Sequence, residues 1–142
     1  MSDSYQLTRF VDAQAPVYET VLTELRAARK RSHWIWFIFP QLAGLGSSST
    51  AAHYAISGLP EAQAYLAHDV LGPRLHECVA LVAAIDGVSI EDVFGFPDYL
   101  KVRSSLTLFA RATADNGAFL AVLDKFYAGE QDDKTLALLA GQ

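Results

Sequence analysis

The sequence predicts an all-α single domain of six to eight short helices, and three observations carry that prediction. Prolines stand where helices would start and glycines where they would stop, and the apolar residues between them recur at helical spacing. No Asn-Gly or Asp-Gly pair joins two alternating apolar runs; Asp86-Gly87 and Asn116-Gly117 each border helical patterns instead. With 142 residues, one domain spanning 1–142 is expected, long enough to bury roughly two-thirds of its unfolded surface.

Leu7, Phe10, Val11 and Gln14 share one face of a first short helix that stops near Ala15. Pro16 suits the first turn of the next, where a missing N–H costs nothing. There Val17, Val21, Leu25 and Ala28 form a core-facing stripe, and the following cations sit well at the negative pole of the helix dipole. Pro60 opens 61–68, and Pro73 opens 74–85, closed by Gly87. Ser89 with Asp92 resembles a capping box for a short helix ending at Gly95. Pro97 opens a helix whose Val102, Leu106 and Phe109 share a face. Asn116 is positioned to cap 117–128, stopped by Gly129, and Asp132 or Asp133 to cap a last helix through Leu139. Only Trp34–Phe39 has strand-like composition, and one strand makes no sheet.

Bulk properties exclude several classes. A 51% hydrophobic chain with 19% charged residues is not disordered. A net charge of −5 argues against duplex nucleic acid, which is held by neutralising phosphates with Lys and Arg. The cations are uneven, however: Arg26, Arg29, Lys30 and Arg31 lie within six positions. A lone cysteine, Cys78, rules out an internal disulfide and fits a reducing compartment. The start Met1-Ser2-Asp3-Ser4-Tyr5 has no apolar signal core, and no run reaches the ~18 residues of a membrane span, so a cytoplasmic location away from membranes is expected. The histidines His33, His53, His68 and His76 form no H-x-x-x-H pair, so no metal is expected, and nothing calls for a cofactor.

Chemistry concentrates in three places. Lys30–Gln41 holds both tryptophans, Trp34 and Trp36, and two phenylalanines, Phe37 and Phe39, edged by Lys30, Arg31, His33 and Gln41. Aromatic bodies with polar tips are either the centre of a core or the wall of a pocket. A neutral His33 beside stacked indoles would serve as a base or read a flat ligand, or else be a satisfied core histidine. Gly44-Leu45-Gly46 followed by Ser47 either cradles an anion on free amides and hydroxyls or is a loop capping a short helix with His53 and Tyr54. It is neither a GKS/GKT phosphate loop nor a GxGxxG turn. Lys101 lies one helical turn below Ser104 and Ser105, with Thr107 following and Asp98 preceding. Either these line a cavity where Lys101 meets an acidic ligand, or they allow close helix packing beside ordinary surface cations.

The run Arg29-Lys30-Arg31-Ser32-His33-Trp34-Ile35-Trp36-Phe37-Ile38-Phe39-Pro40-Gln41-Leu42, then Gly44-Leu45-Gly46, resembles the hallmark of the domain-of-unknown-function family 1810, small helical bacterial proteins often mislabelled calpastatin. The likeness continues through Leu71-Gly72-Pro73-Arg74-Leu75, Phe94-Gly95 and Arg103-Ser104-Ser105-Leu106-Thr107-Leu108-Phe109, over nearly the whole chain. Departures are Ala28 for Gly, Ile35 for Met, Asp69 for Pro and Leu106 for Met. The resemblance implies a mainly helical single domain and no activity. A fainter likeness of theme is to the NADAR proteins, tied to ADP-ribose and nucleoside N-glycosidic chemistry.

The functional expectation is a pocket for a small anionic, ring-bearing, nucleotide-like metabolite, with N-glycosidase-type hydrolysis as the reaction it would suit. His33, Asp98 and Lys101 are the candidate catalytic residues, Asp98 activating water. Lys30, Arg31, Trp34, Trp36, Gln41, Gly44, Gly46, Ser47, Ser104, Ser105 and Thr107 are the candidate ligand contacts. The alternative is a non-catalytic adaptor binding a protein partner on its basic-aromatic face. Whether the protein is an enzyme stays open. Concave, partly buried tryptophans favour a pocket; a flat exposed patch favours a partner.

Overall fold

In a computed structural model, which describes residues 3–142, the chain runs through α1 (Thr8–Gln14), α2 (Tyr18–Arg26), α3 (Ile35–Ile38), α4 (Ser49–His53) and α5 (Leu59–Ala67). It continues through α6 (Leu71–Ala83), α7 (Ile90–Phe94), α8 (Asp98–Ala112), α9 (Gly117–Tyr127) and α10 (Asp133–Ala140). Met1 and Ser2, where the N-terminus was read as lacking a signal core, lie outside the described residues. The fold is all-α. Among the described residues seven longer helices fall within the expected six to eight, and α3, α4 and α7 are single turns. Among the described residues no helix is long and apolar enough to cross a membrane.

Helix α8 is the axis. Val102, Ser105, Leu106, Thr107, Leu108, Phe109, Ala110 and Ala112 are all buried, so it meets neighbours on most sides. Helices α5, α7, α9 and α10 pack on it, α6 bridges α5 and α9, and α2 leans on α6. Rings set the core's texture: Phe109 lies 5.2 Å from Tyr65 and 6.2 Å from Phe119, centroid to centroid. Burying such rings fully is worth roughly 1.5–3 kcal/mol each.

The strand-like segment is a turn of helix. Among the described residues Trp34–Phe39 has no neighbouring strand to pair with, so its carbonyls must be satisfied locally or by side chains. Ile38 and Phe39 amides donate to the carbonyls of Trp34 and Ile35. Buried Gln14 donates its Nε2 to Phe37 O at 2.7 Å and to the Tyr65 hydroxyl at 3.0 Å, tying α3 to α1 and α5.

The helix ends follow the expected chemistry with local variations. Ser89 and Asp132 cap α7 and α10 by accepting from Asp92 N and Thr135 N. Asn116 does not cap α9 with its side chain; its Nδ2 donates to Ala110 O, holding the α8–α9 turn. Helix α9 already ends at Ala128 in the left-handed region (φ 54°), one residue before Gly129.

Candidate functional site

Three separated segments close around one cavity of about 550 Å³. The Gln41–Ser48 loop forms one side, Leu100, Lys101 and Ser104 of α8 a second, and Asp132 and Lys134 at the start of α10 a third; Trp36 and Tyr54 also line it. Each side is held by identifiable bonds. Ala43 N donates to Ile56 O at 2.8 Å and Ile56 N to Gln41 O at 2.9 Å, a two-residue bridge that anchors the loop's base. Gly44 turns at φ 101°, a left-handed conformation favouring glycine. At Gly46 a Cβ would lie 2.6 Å from that of Ala51, so the loop can lie against α4 only without a side chain there. Ser48 Oγ accepts from Ala51 N and caps α4. On the third side, Thr107 Oγ1 accepts from Asp132 N at 2.9 Å, docking α10 on α8.

Helical periodicity sorts the α8 residues. Lys101 and Ser104, one turn apart, face the cavity. Ser104 Oγ back-donates to Leu100 O at 3.1 Å. Ser105 and Thr107 turn into the core instead. Thr107 also donates to Arg103 O at 2.8 Å, whereas Ser105 Oγ is buried without a hydrogen-bond partner among the described residues.

The charges form a short chain. Lys30 Nζ lies 2.9 Å from Asp98 Oδ2, donates to Ser32 O and sits 5.0 Å over the Trp34 ring, its side chain only 6% exposed. Lys101 Nζ lies 3.6 Å from Asp98 Oδ1 and 5.0 Å over the Trp36 ring. Asp98 is therefore bracketed by two ammoniums, and of these Lys101 is the one that reaches the cavity. Across it, Asp132 is occupied: Oδ2 accepts from Thr135 N and Oγ1, and Oδ1 lies 3.6 Å from Arg103.

The remaining candidates lie elsewhere. Trp34 is 1% exposed, its indole N–H bonded at 3.0 Å to Glu24 in the core. Glu24 also accepts from the amides of Arg31 and Ser32 and from the Ser32 hydroxyl. Burial alone would raise its pKa, but these four hydrogen bonds outweigh that and hold it down at about 2. The Arg31 side chain lines a different hollow, with Arg29, Thr20 and Thr23. His33 is exposed on a groove adjoining the cavity, beside Trp36, Phe37 and Tyr54. The expected site residues that share the cavity are thus Trp36, Gln41, Gly44, Gly46, Ser47, Lys101 and Ser104.

Sequence reasoning did not single out Tyr54, Asp132 or Lys134 as cavity residues. Asp132 read only as a helix cap, and nothing local signals that the last helix returns beside the glycine loop. Cys78 is buried in α6 and burial pushes its thiol up to about 12, far from a nucleophile's range. Among the described residues no group of three or more His, Cys, Asp or Glu is placed to hold a metal ion.

Residues 4–139 match the model of a family described as protein of unknown function (DUF1810). The crystal structure of a conserved hypothetical protein from Mycobacterium tuberculosis is similar over 97% of this chain and 99% of that one, with a TM-score of 0.96 and 63% sequence identity. No curated protein matches the chain.

Proposed function

The chain belongs to the DUF1810 family, whose description names no activity, and we propose that it is a binding domain for a small anionic, ring-bearing metabolite of nucleotide-like character. The observation that carries this reading is the convergence of Trp36, Gln41, the Gly44–Ser47 loop, Lys101 and Ser104 on one cavity from distant parts of the sequence. Lys101 and Lys134 supply positive charge, and the Gly46 and Ser47 amides make no hydrogen bond among the described residues. Such amides beside an ammonium suit a phosphate or carboxylate. The half-buried Trp36 offers a stacking surface, and Gln41 an amide donor and acceptor within the cavity.

Hydrolysis of an N-glycosidic bond at this site would draw on Asp98 or Asp132. Asp98 would first have to leave two ammoniums, and Asp132 a helix cap, before either activated water. Binding is therefore the stronger reading. The adaptor alternative rests on Phe96, 79% exposed beside the cavity residue Pro97. The tryptophans weigh against it: one is in the core and the other is half-buried against a hollow.

A thermal-shift screen against nucleotides, sugar phosphates and their uncharged nucleosides tests the proposal. Phosphorylated compounds should raise the melting temperature and their nucleosides should not. Lys101→Met should weaken any hit about tenfold or more, the value of one charge-assisted contact. A screen without a single phosphorylated hit, or a hit indifferent to Lys101→Met, would overturn it.

A further inference from the structure

Next to the cavity runs a second hollow, also about 550 Å³, lined by His33, Phe37, Ser49, Thr50 and His53 together with Trp36 and Tyr54. Trp36 and Tyr54 line both spaces, so they are a shared wall. We infer that this groove is the subsite for a planar nitrogen heterocycle of the nucleobase kind, whose attached phosphate lies in the neighbouring cavity. The inference rests on the anion-binding reading of that cavity and adds where the ring goes and what reads it.

The groove's composition separates it from ordinary surface. Its rings are clustered rather than scattered: Tyr54 stands 5.4 Å from Phe37 and 4.6 Å, edge-on, from His53. Its polar tips are all uncommitted. Tyr18, Tyr65 and Tyr127 pair their hydroxyls with Glu77, Gln14 and the Tyr99 carbonyl. The hydroxyls of Tyr5 and Tyr99 have no such partner among the described residues, so it is the gathering of several unpaired tips around clustered rings that marks the groove. The Tyr54 hydroxyl, both imidazoles and the Trp36 indole N–H have no hydrogen-bond partner among the described residues. A flat ligand with donors and acceptors around its edge uses such faces for stacking and such tips for recognition. A purely aliphatic ligand would leave the tips unpaired.

The groove is also pre-set. Arg9 donates Nε to the His53 carbonyl at 2.8 Å and a terminal nitrogen to Ala55 O at 2.9 Å and to buried Glu61 at 2.8 Å. These bonds fix the chain on both sides of Tyr54 before any ligand arrives, lowering the ordering cost of binding. On the opposite bank, Gln14 holds the Phe37 carbonyl.

The test is calorimetric titration of the wild type, His53→Ala and Lys101→Met with AMP, GMP, CMP, UMP and ribose 5-phosphate. At least one nucleotide should bind about tenfold more tightly than ribose 5-phosphate, the gain expected of a stacked, edge-read base. His53→Ala should weaken that nucleotide about fivefold and leave ribose 5-phosphate unchanged, while Lys101→Met weakens both. Should ribose 5-phosphate bind as well as every nucleotide, or His53→Ala leave them all unaffected, the groove assignment falls and the cavity reading survives through Lys101→Met. If none of the five binds, both fall. Melting curves of His53→Ala matching the wild type assign its loss to the groove, and a large drop in stability would overturn the reading of an uncommitted imidazole.

Discussion

At the scale of single residues, one backbone position and one carboxylate stand out. Ala28 follows α2 in the left-handed region (φ 56°), with Arg29 N reaching back to Glu24 O at 3.0 Å, an arrangement that usually selects glycine. The left-handed form costs a Cβ-bearing residue about 1–2 kcal/mol, partly offset because alanine has less freedom to lose on folding. Ala28→Gly should therefore raise stability by about 0.5–1 kcal/mol, read as a higher denaturant midpoint at unchanged slope. The departure noted in the sequence is thus a site of mild strain. Glu24 makes the opposite kind of contribution. Its carboxyl is held at about 2, below the unfolded value of 4.5. The stabilisation is complete above pH 4.5 and is lost as pH falls from there toward 2. Acid titrations of wild type and Glu24→Gln should converge as pH falls across that window, the wild type starting more stable and losing stability more steeply; parallel curves would contradict it.

At the scale of elements, the α5–α6 junction is the tightest contact. A Cβ on Gly72 would lie 2.2 Å from the Leu66 carbonyl oxygen, a backbone atom that cannot swing aside. Gly72→Ala should cost about 1–3 kcal/mol, measurable by chemical denaturation, because α6 must move off α5. Much at this scale was legible beforehand. Pro97 precedes α8, Ser89 and Asp132 cap the helices assigned to them, and Gly95 ends α7. These signals act between near neighbours, so sequence displays them directly. The segment around Trp36 was harder, since β-branched and aromatic composition suits a strand, and only the lack of a partner and the grip of Gln14, over twenty residues away, make it a helical turn. The candidate site was legible in the same measure. Lys101 and Ser104 follow from one helix's periodicity, whereas Lys134 and Tyr54 join them only through long-range packing. The commitment of Lys30 and Asp98 to each other is likewise a tertiary fact.

For the molecule as a whole, the net charge of −5 sets the range of partners. Two lysines on one cavity suit one or two phosphates, but a duplex would meet a predominantly negative surface. Mobility-shift assays at moderate salt should show no retarded duplex, and salt-sensitive retardation would refute that view. The separation of the two tryptophans has a practical consequence. Trp34, sealed in the core with its N–H on Glu24, should emit at short wavelength and resist acrylamide; Trp36, half-buried with the Lys101 ammonium over its ring, should emit further to the red and be quenched. The native protein thus carries two spectrally distinct reporters, one for the integrity of its interior and one for the occupancy of its hollow. Single Trp→Phe variants would isolate each signal, and ligand should change only the emission that Trp36→Phe removes.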